Sequence, residues 1–139
     1  MVHECRELVS TSNAVSPYVR IIVNGIEKFK TSIMKKKSDP KFEEPYEIVV
    51  LDKTTFFIRA EVRDSAAEDK LVGAFTSYLS DIVRQQQKND SWWDLINESE
   101  QTGQLRLSAE WKPMIMSGIS DFVSRNGFDS KYFDFLNVN

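Results

Sequence analysis

Two groups of charged side chains could do chemistry in this 139-residue chain. The first is an acidic loop, in which Asp64, Glu68 and Asp69 follow an alternating apolar and polar stretch. Ca²⁺ prefers six to eight oxygen ligands, several of them from carboxylates. The loop also holds Ala66 and Lys70, which offer no carboxylate oxygen. The sequence therefore favours a solvated acidic loop, with a cation site as the alternative.

The second group is a basic cluster, which comprises Lys28, Lys30, Lys35, Lys36, Lys37 and Lys41, with Arg20 shortly before it. Lys28 and Lys30 are two residues apart, so on a strand they share one face. Cations aligned on a sheet face attract anionic lipid by about 1 kcal/mol each near a membrane surface. Lysines on an edge strand also discourage aggregation. Both interpretations stay open on composition alone.

Catalytic and nucleic-acid functions have little support. The one histidine, His3, has no nucleophile placed beside it, and the sequence has no glycine-rich phosphate loop, CxxC or HExxH motif. We therefore predict that the protein is not an enzyme. A net charge of −3 argues against a general nucleic-acid binder. The single Cys5 excludes an intramolecular disulfide, and no apolar run approaches the roughly 18 residues of a membrane span.

The elements that must position these groups are short strands. Alternation and β-branched runs predict strands at 2–9, 18–23, 27–34, 46–51, 56–62, 71–78, 91–96 and 104–110. Asn24-Gly25 marks a hairpin turn, and Gly103 marks the turn before the last strand. Residues 80–89 are predicted as a short helix or a loop. Eight strands with regular turn signals predict an all-β sandwich.

The adjacent Trp92 and Trp93 are predicted to lie on opposite faces of their strand. The tail after Pro113 differs from the rest of the chain, because its apolar residues suit a helix and its end is rich in aromatic residues. We predict either an extra packed element or a linker there.

The order of the motifs resembles that of C2 domains over about residues 2–113. SPYVRI at 16–21 resembles the family's S-D-P-Y-V-K-V, and KSDPKFEE at 37–44 resembles its T-x-N-P-x-W-N-E. FIRAEVRD at 57–64 is similar to the strand that ends in V-x-D-x-D. LVG, WDL and GQLRL at 71–73, 93–95 and 103–107 match its closing motifs. SAEWKP at 108–113 further resembles fungal tricalbins and extended-synaptotagmin-like proteins.

This resemblance implies an eight-stranded antiparallel Greek-key β-sandwich over 1–113, with a short helical or irregular extension or linker at 114–139. It implies calcium loops at one end, whose ligand positions here are Ser10, Ser16, Asp64, Ala66 and Lys70, with Asp69 one residue off. Because Asp64 alone keeps a carboxylate in place, we expect neither calcium nor another cofactor. The first strand matches only the second half of the family's pattern.

The resemblance also implies a cationic groove on one sheet face. Tyr18, Arg20 and Lys30 occupy family positions that contact phosphoinositide head groups, and Arg63 replaces an aromatic residue. The predicted lipid-binding set is completed by Lys28, Lys35, Lys36 and Lys37.

The predicted function is calcium-independent docking of a larger protein onto anionic membranes that contain phosphoinositide or phosphatidylserine. The resemblance implies a tricalbin-like tether and lipid-transfer protein on the cytoplasmic side of contacts between the endoplasmic reticulum and the plasma membrane. Other domains of the parent protein would be its further partners. The alternative is a protein-interaction module, with a homodimer through the 114–139 extension or through a sheet edge exposed by the incomplete first strand.

Overall fold

The structure, a computed structural model, describes residues 1–9, 14–50, 55–88 and 91–110. These residues contain eight strands, one α-helix and a short 3-10 helix, Ser65–Ala67. Their bounds are β1 Val2–Arg6, β2 Pro17–Val23, β3 Ile26–Lys30, β4 Lys41–Glu44, β5 Phe57–Asp64, β6 Lys70–Tyr78, α1 Leu79–Gln87, β7 Trp92–Asn97 and β8 Glu100–Leu107. The predictions for Ser10 and for the 114–139 extension lie outside the described residues.

All strand pairings are antiparallel, in the order β3-β2-β5-β6-β7-β8-β1-β4. A single residue pair, Ala74 with Ile96, joins β6 to β7. The sheet curls at this junction, so that four strands on each side form the two layers of a sandwich. The structure thus confirms the predicted all-β, eight-stranded antiparallel sandwich.

Strand β5 lies inside the sheet and alternates between the core and the outer face. Its Ile58, Ala60 and Val62 are buried, and Val62 pairs with the fully buried Val19 of β2. Burying a valine or isoleucine side chain stabilises the fold by about 1.5–3 kcal/mol. The residues between these core positions, including Glu61, therefore face outward.

The predicted strand at 46–51 is wrong over its described part. The strand in this region is β4, and residues 45–50 form no ladder. Val50 is nevertheless buried in the core, and the Tyr46 ring stacks on Phe29 with ring centroids 3.6 Å apart. The Tyr46 hydroxyl donates to the carbonyl of Lys30. Side-chain packing against β3 thus replaces strand pairing, which explains why the apolar pattern misled.

The turn predicted at Gly103 is also wrong. The turn lies at Glu98 and Ser99, both with positive φ (51° and 69°), as a two-residue hairpin turn requires. Gly103 lies inside β8 with φ at 144°, and a Cβ there would lie 2.8 Å from Leu8 Cδ2. The glycine is required by this close approach rather than by a turn.

Strand β1 pairs with β8 on one side and β4 on the other. The exposed edge expected from an incomplete first strand is therefore wrong, and the edges of the described sheet are β3 and β4. Within the predicted 80–89 region the structure has helix α1, which ends at Gln87 and buries Leu79 and Ile82. No helix among the described residues is long and apolar enough to cross a membrane.

Candidate functional site

Strand register gathers several of the predicted lipid-binding residues on one outer sheet face. Arg20 of β2 lies opposite Lys30 of β3 on one side and Glu61 of β5 on the other. Tyr18 lies opposite Arg63 in the same pairing of β2 with β5. These residues alternate with core positions, so their side chains share the outer face. Tyr18, Arg20, Lys30, Arg63 and the β5 residue Arg59 are called the cationic face below.

Glu61 is the centre of this face, although it is only 5% exposed. Its Oε1 accepts from Arg20 Nη1 and Arg63 Nε, each at 3.0 Å. Its Oε2 accepts from Arg59 Nε at 2.9 Å. A buried carboxylate is stable only when it is paired and hydrogen-bonded. Three guanidinium groups meet that requirement here.

The protonation of Glu61 follows from these contacts. Burial alone would raise the pKa of its carboxyl, but hydrogen bonds from Arg59 and Arg63, together with their charges, hold the pKa below its ordinary range. The pKa of Arg20 is raised, mainly by its hydrogen bond to Glu27, whose Oε1 lies 2.7 Å from Arg20 Nε. Glu61 and Arg20 are therefore charged at neutral pH.

Tyr18 is largely buried, at 9% exposure, and its hydroxyl donates to Asp69 Oδ1 at 3.0 Å. Burial raises the pKa of Tyr18, and the hydrogen bond and charge of Asp69 raise it further. Arg63 Nη1 donates to the Asp69 carbonyl at 2.9 Å. Asp69 therefore fixes one end of the cationic face to the β5–β6 loop.

The lysines on and beside this face are exposed, and within the described ranges no ion pair includes any of Lys28, Lys30, Lys35, Lys36 or Lys37. Lys30 lies on the face itself. Lys28 is the extra residue at a bulge, since Ile21 pairs with Phe29 while Ile22 pairs with Glu27.

The three consecutive lysines lie on the loop between β3 and β4, which is fastened to the start of β2. Lys36 N donates to Ser16 Oγ at 3.1 Å, and Lys37 N donates to the Val15 carbonyl at 2.9 Å. Their backbone is therefore held beside the end of the sheet where Tyr18 begins the cationic face.

Several of the described positions that the resemblance implies for calcium have other structural roles. Asp64 is 2% exposed, and its Oδ1 accepts from Ser16 N at 2.9 Å and from Ala66 N at 3.0 Å. Lys70 is exposed at the start of β6, and Asp69 binds Tyr18. Among the described residues, no three histidine, cysteine or acidic side chains lie close enough to hold a metal ion.

Sequence reasoning missed the roles of Arg59 and Glu61. Their signal is present in the stretch from Arg59 to Arg63, where every second residue is charged and the middle one is acidic. An outward acid flanked two residues away on both sides by arginines indicates a clustered ion pair on one strand face.

A groove of about 800 Å³ lies between β6 and β7 and shares Arg59 with the cationic face. Its walls include Arg6, Trp92 and Trp93. The Arg6 guanidinium lies 3.9 Å from the centroid of the Trp92 ring. Trp93 instead stacks on the core residue Phe75, so the two tryptophans lie on opposite faces as predicted.

The fold and this face define an antiparallel β-sandwich with a cationic outer surface. Residues 1–95 match the C2 domain family, which is more than half of the chain. The chain therefore belongs to the C2 domain family.

The fold is similar to that of a C2 domain of plant extended synaptotagmin 1, with a TM-score of 0.61, 19% identity and coverage of 75% of this chain and 84% of that one. It is also similar to the calcium-bound tandem C2 domains of extended synaptotagmin 2, with a TM-score of 0.58, 18% identity and coverage of 76% and 38%.

An uncharacterized protein of Schizosaccharomyces pombe is 26% identical over 113 residues, which are 81% of this chain. The chain spans only 9% of the length of that protein.

Proposed function

We propose that this C2 domain docks a larger protein onto anionic membranes, and that it does so without calcium. The cationic face and the exposed lysines beside it attract phosphatidylserine and phosphoinositides. Their guanidinium and ammonium groups then hydrogen-bond the lipid phosphates. The reaction is binding alone and involves no covalent step.

The observation that carries this proposal is the gathering of Arg20, Lys30 and Arg63 on one outer sheet face by the register of β2, β3 and β5. Lys28 and the 35–37 lysines are exposed, and the backbone of Lys36 and Lys37 is bonded to Ser16 and Val15 just before β2. Together they supply positive charge in a chain whose net charge is −3. A local positive surface on an acidic protein favours binding to an anionic surface.

Calcium independence is supported by the hydrogen bonds that the Asp64 carboxylate already accepts from the backbone. Its carboxylate is buried and accepts two backbone hydrogen bonds. The neighbouring positions Ala66 and Lys70 supply no carboxylate oxygen. A calcium site needs several such oxygens converging on one point.

The wider context is proposed from similarity. Likeness to the C2 domains of extended synaptotagmins supports a tricalbin-like tether and lipid-transfer protein as the parent. Such a protein would act on the cytoplasmic side of contacts between the endoplasmic reticulum and the plasma membrane. The other domains of that protein would be further partners.

Liposome sedimentation tests the proposal. The triple variant Lys28→Ala, Lys30→Ala, Lys36→Ala is expected to lose binding to phosphoinositide vesicles by about two orders of magnitude, at about 1 kcal/mol for each lost cation. Wild-type binding is expected to be equal in calcium and in chelator.

A charge-matched control is Lys41→Ala, Arg84→Ala, Lys88→Ala, which removes three exposed cations from β4 and from the helix region. This control is expected to bind much more tightly than the test variant. Equal binding by the two triple variants would refute a role for the face. A dimer in light scattering that binds no vesicles would instead favour the protein-interaction module.

A further inference from the structure

We infer that Glu61 is a positioning residue for lipid selectivity: it holds three guanidiniums in one arrangement, so that the cationic face prefers a head group with clustered phosphates over one with a single charge. This inference rests on the proposed function and concerns the same face. It assigns a role in anion recognition to an acid, which charge counting would treat as unfavourable.

The geometry leaves guanidinium donors available. Arg59 and Arg63 each use Nε to bind Glu61, and Arg20 uses Nη1. Each guanidinium carries five N–H donors. Two further donors are engaged, by Glu27 at Arg20 Nε and by the Asp69 carbonyl at Arg63 Nη1. Most N–H groups of the three arginines therefore have no partner among the described residues.

The net charge of the cluster is small. Three arginines oppose Glu61 and Glu27, so the paired cluster carries a net charge of +1. Such a cluster attracts an anionic surface weakly at long range. The exposed lysines beside it make no described ion pair and supply that attraction instead.

What the cluster provides is fixed geometry. A guanidinium is a planar fork that matches phosphate oxygens, and it binds better when its orientation is set before the ligand arrives. The buried Glu61 carboxylate anchors three such forks whose stems lie on two adjacent strands. Several phosphates on one inositol ring can bind several guanidinium groups at once, whereas a phosphatidylserine head group presents a single phosphate.

The test compares two vesicle compositions of equal total charge, one with phosphatidylserine and one with phosphatidylinositol 4,5-bisphosphate. Glu61→Gln raises the net charge by one, so binding to phosphatidylserine vesicles is expected to rise about fivefold. The selectivity ratio for the bisphosphate is expected to fall roughly tenfold, as one charge-assisted hydrogen bond is lost. A purely structural role would weaken binding to both vesicles alike.

Arg59→Lys keeps the net charge but replaces one planar guanidinium with an ammonium group. This variant provides the test if Glu61→Gln does not fold. Its selectivity ratio is also expected to fall roughly tenfold. The control is Arg84→Lys on α1, an exposed arginine that pairs with Asp81 and is not one of the residues of the cationic face. This control is expected to keep the wild-type ratio.

Two failures are distinguishable. If the wild-type chain binds neither vesicle, the proposed function is overturned and this inference falls with it. If the wild-type chain prefers the bisphosphate and both Glu61→Gln and Arg59→Lys keep that preference, this inference alone is overturned.

Discussion

Ser16 donates its backbone N–H to Oδ1 of Asp64 at 2.9 Å, which joins two positions that the C2 resemblance implies for calcium ligation. The same oxygen accepts from Ala66 N at 3.0 Å. In place of binding a metal, the carboxylate fastens the start of β2 to the β5–β6 loop.

Asp64→Ala is expected to destabilise the fold by about 2–4 kcal/mol, because it leaves one buried and one part-buried backbone donor without their acceptor. Urea unfolding measures this loss. Asp94→Ala is the control, since Asp94 is exposed and accepts exposed hydrogen bonds from the side chains of Gln101 and Gln104, so its loss is expected to cost less than about 1.5 kcal/mol. Equal stability of Asp64→Ala and the wild type would contradict the fastening role.

Calcium is expected to leave the stability of the wild-type chain unchanged. A ligand that binds only the folded state raises its stability in proportion to the logarithm of the ligand concentration over Kd. The thermal midpoint in millimolar calcium should therefore equal that in chelator. A rise that Asp64→Asn abolishes would reveal a metal site after all.

The acid response of stability is expected to depend on Glu61. Its pKa is lowered in the folded chain from an ordinary value of 4.5, so its stabilisation is present above that value. The stabilisation is lost as the pH falls through the lowered pKa. Glu61→Gln should be less stable than the wild type at pH 7, and the two should converge as the pH falls below 4.5 and through the lowered pKa.

Urea midpoints measured from pH 7 to pH 3 check this convergence. Glu100→Gln is the matched control, because Glu100 is exposed and makes no ion pair in the described part of the chain. Its curve should run parallel to that of the wild type. Parallel curves for Glu61→Gln and the wild type would disprove the role of the arginine contacts in acid stability.

Two glycines with positive φ should respond differently to alanine. At Gly25, with φ at 84°, nothing lies within 4 Å of an added Cβ, so the cost should be about 1–2 kcal/mol from backbone strain alone. At Gly103 the added Cβ would also lie 2.8 Å from Leu8 Cδ2 and 3.1 Å from the Arg6 carbonyl.

Overpacking adds about 1–3 kcal/mol at Gly103. Chemical denaturation of the two variants measures the difference, and Gly25→Ala serves as the reference for strain without contact. A smaller loss at Gly103 than at Gly25 would mean that β1 and β8 move apart at little cost.

Sequence reasoning predicted the sandwich because its strongest signals are local. The alternation of Ile58, Ala60 and Val62 with charged residues is a property of five consecutive positions, and β5 has that pattern in the structure. The strand predicted from Tyr46 onward was wrong because Tyr46 packs on Phe29, which is distant in sequence. An apolar pattern indicates that a segment is buried, but a buried segment need not pair with another strand.

The candidate site was only partly predictable for the same reason. The lysine cluster is visible as a composition, but the partners of Arg20 depend on the register between β2 and β5. Register brings Arg20 and Glu61 within 3.0 Å across 41 residues of sequence. A local sequence pattern therefore cannot predict the contact between Arg20 and Glu61.

The place of β1 in the sheet has a consequence for folding order. Cys5 pairs with Leu105, so the first strand joins residues from opposite ends of the described chain. During synthesis β1 cannot pair with β8 until residues 100–107 have left the ribosome. Its long-range pairing should make folding slow, and β1 should be one of the last elements to become protected from hydrogen exchange.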